Sequence, residues 1–475
     1  MKNGLGVYMA INTEHPEHFR YKKLVELVRD CIAGEAEIKR KTTRYLPEFE
    51  FEKEDSSRYQ TYVQKAVFDN ITGRTLAGFS GSIFRKQPEN FLPTELEYLL
   101  ENANGEGLGL PELEQFSCEE TMTTGTIGFL VDYPMVDLQI DAETEQIINP
   151  QAHLKPYIFE SILNYKTSII NGKTVLSQVV LHEKREKQIT EFEFDYEDIY
   201  RVLRLDENGY YNQQVYDDAQ TPITEPIYPR KVGQEFFDYI PFVFIGASNN
   251  LFKFDKPMLY DIAVLNIAHF VNSADYEENL FMHGQLTIGI STSLDSQAYK
   301  EANPDGLKWG ARSATFLGEN GNFVTASVPE NSGLEKAMQR KEERMVALGA
   351  KLITQNADNE TAEAARIRNS SETSNLTTIV NNNTAGFTKL LTYCTDFMGG
   401  NPAAIDIQIN KEFYPETITA QEAAVMMQLV DRGTISETDM RSKLRKVNWL
   451  DSDRTDEDIE EDAEADINRS LTNNV

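Results

Sequence analysis

Hydrophobic and polar positions change their period several times along the chain. Over roughly the first 120 residues they recur at helical spacing. Phe19, Lys23, Leu24, Leu27, Val28 and Ile32 approximate one helical face, and Tyr59, Tyr62, Val63, Ala66, Val67, Asn70 and Ile71 approximate another. Between them Tyr45-Leu46-Pro47 predicts a turn, and the acidic stretch 48–55 a solvated loop. The small residues of Gly78-Phe79-Ser80-Gly81, ahead of Arg85-Lys86, suggest a close backbone approach. From about Thr123 the texture becomes alternation broken by turn signals. Residues 127–134 read as a strand ended by Pro134, and 165–170, Asn171-Gly172 and 175–182 read as a hairpin with a two-residue turn. Residues 202–205, Glu207-Asn208-Gly209 and 210–216 repeat that device, and 240–246 form a last apolar strand. Residues 1–250 therefore predict one α+β domain, helices first and an antiparallel meander second.

Beyond this domain the pattern is dominated by long helices. Residues 258–283, behind Asp255-Lys256-Pro257 and ahead of Gly284, predict one helix of about 26 residues, or roughly 39 Å at 1.5 Å per residue. A knob of strand and turn character follows, with apolar runs at 286–290, 314–317 and 323–328. It is too small to bury much of its own surface. A second helix is expected over 334–353, with Leu334, Met338, Met345, Leu348 and Leu352 on one stripe and Lys336, Arg340 and Arg344 on another. Two readings of the basic stripe stand side by side: pairing within the helix to Glu335, Glu342 and Glu343, or contact with a DNA backbone. Residues 354–361 hold no large apolar side chain and should be exposed. A third helix, 361–398, is expected to kink at Asn381-Asn382-Asn383. Two shorter helices close the chain. A Thr419/Glu422 capping box and Gly433 bound the first, and Ser436/Asp439 opens the second. The run 451–466 carries ten acidic residues against Arg454, which predicts a solvated or disordered segment.

Composition sharpens this picture. No run approaches the length of a membrane span, and the N-terminal residues lack the apolar core of a signal peptide. Cys31, Cys118 and Cys394 lie far apart, so neither a disulfide framework nor a cysteine metal site is expected, and a reducing cytoplasm fits. With 46 basic against 76 acidic side chains the formal charge is −30. That balance opposes gripping nucleic acid over a broad surface and suits a lining that lets it slide past.

No pattern carries catalytic chemistry. Asn171-Gly172-Lys173-Thr174 resembles the end of a phosphate-binding loop, but Thr167 stands where the first glycine belongs. His15 and His18 are the one close histidine pair, and His269 lies alone in mid-helix. Asp451, Asp453 and Thr455 begin like a calcium loop, yet Asp456 replaces the required glycine and Asp462 the glutamate. The helices around Gly433, with Arg441, Lys443, Arg445 and Lys446 in the second, imitate a helix-turn-helix, which the following acidic run would oppose on DNA. No cofactor and no metal are expected. The rival to a structural role is a metal-dependent DNA-processing enzyme built on the C-terminal carboxylates, with Asp451 and Asp453 foremost.

The order of these segments resembles that of tailed-bacteriophage portal proteins. The likeness is carried by the strand at 239–246, Pro257-Met258-Leu259-Tyr260-Asp261, Asn272-Ser273-Ala274-Asp275-Tyr276-Glu277, the knob, the returning helix, the polar loop and the long helix. Arg74-Thr75-Leu76, residues 83–86 and 128–134, Leu265-Asn266-Ile267-Ala268-His269 and Glu360-Thr361-Ala362 are similar to a portal subfamily catalogued as an uncharacterised phage family. The resemblance implies an α+β portal fold. Its parts would be a wing (1–257), a two-helix stem (258–283 and 334–353), a small α/β clip (284–333), a tunnel loop (354–361), a long tunnel helix (362–400), and a crown with an acidic tail (401–475). It also implies a homo-oligomeric ring, typically of twelve subunits, at one vertex of the virion after assembly in the host cytoplasm. Its partners would be the terminase large subunit, a neck or adaptor protein, a major capsid or scaffolding protein, and double-stranded DNA passing without sequence specificity, with no membrane. Catalysis would belong to the terminase. The channel residues would be Thr354, Gln355, Asn356, Asp358, Asn359 and Glu360, a set without a ring of lysines, and Lys336, Arg340 and Arg344 would be the contacts to DNA backbone.

Overall fold

In the computed structural model, α1 (Pro16–Ala33) starts where Pro16 presets a helical φ and the His15 imidazole accepts the Glu17 N–H at 3.2 Å. The structure describes residues 10–48, 57–133, 150–284, 287–306, 315–326, 332–349, 362–413, 420–446, 449–451 and 454–460. Most of the expected acidic loop lies outside them. The buried side of α1 is His18, Val25, Val28 and Cys31, while Phe19 and Lys23 face solvent, so the face differs from the one apolarity alone suggests. The His18 ring decides it by stacking on Phe159 at 4.5 Å.

After α2 (Glu35–Arg40), the second expected face divides into α3 (Ser57–Lys65) and α4 (Ile71–Ile83). Asn70 ends the continuity, because its Oδ1 accepts the Gly73 N–H at 2.8 Å and caps α4. The expected backbone approach does not occur at Gly81, where an added Cβ would meet nothing within 4 Å.

The strands form two main sheets where one meander was expected. β1 (Glu89–Phe91) and α5 (Leu110–Thr124), a largely buried helix, precede β2 (Thr126–Asp132) and β3 (His153–Tyr157). β4 (Ile162–Ile170), β5 (Lys173–Gln188), β6 (Phe194–Leu205) and β7 (Tyr211–Asp217) make an antiparallel four-stranded meander in chain order. β8 (Phe242–Gly246) returns instead to β2, giving a sheet ordered β3–β2–β8. The Asn171-Gly172 turn is as expected: Ile170 pairs with Lys173, and both turn residues have positive φ, 50° and 75°. This hairpin removes the phosphate-loop reading of Lys173 and Thr174.

Next come α6 (Tyr260–Gly284), β9 (Thr287–Ser291), α7 (Ser296–Ala302), β10 (Asn322–Ala326), α8 (Ser332–Ala347), α9 (Ala362–Met398) and β11 (Asp406–Gln408). α8 stops six residues short of the expected end, and Leu348, expected on its apolar stripe, is exposed. α9 is not interrupted at Asn381-Asn382-Asn383. These amides reach outward. Asn382 Nδ2 donates to the Gly246 carbonyl at 2.7 Å, Asn250 Nδ2 donates to the Asn382 carbonyl at 2.7 Å, and Ser117 Oγ donates to Asn383 Oδ1 at 2.5 Å. Polar residues in mid-helix here bind the helix to the β8 end and to α5. The chain is thus a mixed helix and sheet protein of α+β type.

The chain divides into two units, Met1–Ile409 and Asn410–Val475. Residues 401–409 stay with the first, since β11 pairs with β1 and Ile405, Ile407 and Ile409 are buried. The second unit, taken by itself, holds α10 (Ala420–Asp431) and α11 (Glu437–Lys446). The expected Ser436/Asp439 box opens α11: the Asp439 N–H donates to Ser436 Oγ at 3.0 Å, and the Ser436 N–H to Asp439 Oδ2 at 3.1 Å. Thr419 lies outside the described residues. The acidic run is not wholly free, because a helical turn at 456–460 packs back on α11, where Arg445 pairs with Asp456 and Arg441 with Glu460 at 2.7 Å. Two of the bases that imitate a DNA-reading helix are therefore occupied.

Candidate functional site: the paired helices and their hairpin

The approach to α6 is fixed before the helix begins. Gly125 joins α5 to β2 with φ +87°, and a Cβ there would lie 2.3 Å from the Asp255 carbonyl oxygen, so only glycine fits. The Asp255 N–H donates to Thr126 Oγ1 at 2.9 Å, and its carboxylate accepts the Ser248 N–H at 2.8 Å. α6 is then held by the α3–α4 junction. Asn266, fully buried, accepts from the Thr72 N–H at 3.1 Å and the Thr72 hydroxyl at 2.9 Å, and donates to the Asp69 carbonyl at 2.8 Å. About two turns along, Ser273 Oγ accepts the Val67 N–H at 3.1 Å. Ser273 takes an N–H that a continuous 59–71 helix would have used internally, and Asn266 takes a first-turn donor of the separate α4, so both favour a division there.

Further down, the Tyr62 hydroxyl donates to Asp275 at 2.7 Å, with burial and that carboxylate both pushing the phenol pKa up. Lys65 pairs with Glu278 at 2.9 Å and sits 3.1 Å from the Phe281 ring centroid. Past this anchor Leu280, Phe281 and Met282 are exposed. β9 and β10 pair antiparallel from Thr287 opposite Ala326 to Ser291 opposite Asn322, so α8 leaves the hairpin beside the end of α6. α8 packs along α6, with His269 Nε2 2.9 Å from Glu342 Oε1, Lys341 donating to Asn272, and Met345 buried. His269 and Asp275 are accordingly packing groups.

The described residues of the hairpin region form no core of their own. Among the described residues between 288 and 324 none is buried, and Phe316 and Val324 are exposed outright. The basic stripe stands clear as well. Lys336, Arg340 and Arg344 are exposed and make no ion pair among the described residues, while Glu342 is engaged by His269. The pairing with Glu335, Glu342 and Glu343 allowed by their spacing is not formed. Thr354, Gln355, Asn356, Asp358, Asn359 and Glu360 lie outside the described residues. Among the described residues no group of three or more His, Cys, Asp or Glu could hold a metal ion, and no helix is long and apolar enough to cross a membrane. The anchors Tyr62, Lys65, Asn266 and Ser273 were not singled out as site residues from sequence. Asn266, a lone amide among Ile262, Leu265 and Ile267, was the one visible signal.

A family model described as "Domain of unknown function (DUF4055)" matches residues 258–398, the run from α6 to the end of α9. No curated protein matches the chain. Among solved structures, it is similar to a chain of the "virion of native gene transfer agent (GTA) particle" at 11% identity and TM-score 0.44, covering 86% of this chain and 98% of that one. It is also similar to a chain of the "neck of native GTA particle computed with C12 symmetry", at 12% identity and TM-score 0.41, covering 79% and 89%. A chain of the "neck of empty GTA particle computed with C6 symmetry" aligns at 12% identity and TM-score 0.42, covering 82% and 94%. At these identities and scores the likeness assigns no role.

Proposed function

We propose that the chain is the subunit of a phage portal ring: a channel at one capsid vertex that passes double-stranded DNA and docks first the packaging enzyme and then neck proteins. The observation that carries this reading is the coreless β9–α7–β10 knob at the end of two paired helices. A unit of this size with no buried residue among those described needs outside help to hold its shape. Identical knobs side by side in a ring supply it, and they would cover Leu280, Phe281, Met282, Phe316 and Val324. The resemblance in segment order supports the same reading, and the acidic balance suits a conduit that denies DNA a resting place. Twelve subunits are the expected number, the virion the expected location, and catalysis is assigned to the separate packaging enzyme. A DNA-cleaving site on the C-terminal carboxylates has less support, since Asp456 and Glu460 are engaged by arginines.

Negative-stain microscopy and native mass spectrometry of the full chain test the proposal. Annular oligomers with a central opening as wide as a DNA duplex are expected. A strict monomer at high concentration overturns it, as would magnesium-dependent DNA cleavage abolished by Asp451→Ala and Asp453→Ala. Deleting residues 355–360 should leave rings intact while DNA packaging or retention falls. Loss of rings in that deletion would make the segment structural instead.

A further inference from the structure

The β4–β7 sheet carries two features that the channel reading does not use. One is a projecting ribbon. β4 pairs with β5 only as far as Leu181, and β7 with β6 only from Ile199 onward, so residues 184–198 extend as two strands alone. Such a ribbon is marginal in water without a surface to rest on. Its tip is apolar and acidic: Ile189 and Phe192 are exposed, Phe192 by 87%, and Glu191 and Glu193 have no ion pair among the described residues. The ribbon's own Arg185 and Lys187 are already paired with Glu197.

The other is a pocket of about 180 Å³ on the same sheet, lined by Ile11, Lys166, Val180, Val202, Arg204 and Tyr216 among others, none of them acidic. By volume it would hold about six waters, or one large side chain. Val180 and Val202 make an apolar floor, and two cations stand over it. Among the described residues the Arg204 guanidinium meets only neutral groups, Asn212 Oδ1 at 3.2 Å, the Gln214 amide oxygen and the Tyr216 hydroxyl at 3.0 Å, and Lys166 has no ion pair. In a chain with thirty more acids than bases, two cations without a carboxylate are an unfilled complement.

We infer that the ribbon tip, residues 189–193, seats in this pocket on a second copy of the chain, Phe192 over the valine floor and Glu191 and Glu193 against Lys166 and Arg204. Tip and pocket cannot meet within one chain, because Val180 and Gln188 are eight residues apart on one strand, about 27 Å. Two different, complementary patches on one chain define a head-to-tail contact, the kind that closes into rings. The inference rests on the ring reading and supplies its subunit contact in the sheet region.

Sedimentation velocity on three full-length proteins tests it. The tip variant is Glu191→Lys with Phe192→Ser and Glu193→Lys, all exposed positions whose change spares the fold. The pocket variant is Lys166→Glu with Arg204→Gln. Each alone should fail to form rings at concentrations where the unaltered chain does, with association weakened at least tenfold. Their equimolar mixture should stop at heterodimers, since only one tip and one pocket remain intact. Rings from the tip variant would overturn the inference and leave the ring reading standing. Two monomeric variants whose mixture also stays monomeric would overturn the pairing of tip with pocket. A monomeric unaltered chain would overturn the ring reading, and this inference with it.

Discussion

Asn266 shows how one buried amide can join two segments far apart in sequence. Its oxygen serves the Thr72 N–H, one of the first-turn donors that α4 cannot satisfy internally, and its nitrogen serves the Asp69 carbonyl. Asn266→Ala should destabilise the chain by about 1–3 kcal/mol for each buried group left unpaired. Chemical denaturation reads this directly, and an unchanged midpoint would mean that water replaces the amide. Glu114 makes a second residue-level case. It is fully buried on α5, with only Asn90 Nδ2 among the described residues donating to it, at 3.3 Å, and burial pushes its carboxyl from 4.5 up to about 8. The folded chain therefore keeps a proton that the unfolded chain releases between those values, so stability falls as pH rises from about 4.5 to 8, by about 1.4 kcal/mol per unit. Glu114→Gln carries no such proton. Its stability advantage over the unaltered chain should grow by about 3 kcal/mol between pH 5 and 7.5. Equal pH profiles for the two proteins would show that Glu114 titrates normally.

At the scale of elements, what the sequence made legible followed periodicity and turn chemistry. The long α6, the Asn171-Gly172 hairpin and the Ser436 cap are each specified by neighbours within a few residues. What was not legible depended on distant partners. α1 presents His18 because Phe159 lies there to stack on, α3 and α4 separate where Asn266 and Ser273 take N–H groups, and β8 joins β2 across more than a hundred residues. The basic stripe was legible as a pattern but not as unpaired, since that depended on His269 claiming Glu342. α9 makes the point testable. Its Gly386 lies against β8, where an added Cβ would meet Ile245 Cδ1 at 2.5 Å. Propensity alone favours Gly386→Ala by about 0.8–1 kcal/mol, whereas overpacking costs about 1–3 kcal/mol. Net destabilisation is expected, and the double variant with Ile245→Ala should be more stable than the sum of the two single effects. Simple additivity would mean that helix and strand separate slightly to admit the methyl group.

For the molecule as a whole, a formal charge of −30 bears on both the proposed ring and the proposed passage of a polyanion through it. Copies of this chain repel one another at long range, but that repulsion decays over about 8–10 Å at ordinary ionic strength, so the apolar and paired contacts proposed at the hairpin and the sheet can prevail. DNA meets the same repulsion, except where cations stand exposed. Lys336, Arg340 and Arg344 are such a place, and the proposed ring gives them two distinct fates. Lining the channel, they would meet phosphates; facing a neighbour, they would meet its carboxylates. Substituting all three by Gln should change the stability of the isolated chain by no more than about 0.5 kcal/mol, since no partner is lost. If the stripe lines the channel, rings form as before and the salt dependence of DNA retention flattens, because fewer counterions are displaced from the duplex. If it faces a neighbour, the rings fall apart at unchanged chain stability. Unchanged rings together with unchanged salt dependence would assign the stripe to the solvated outer face and remove it from any part in DNA passage.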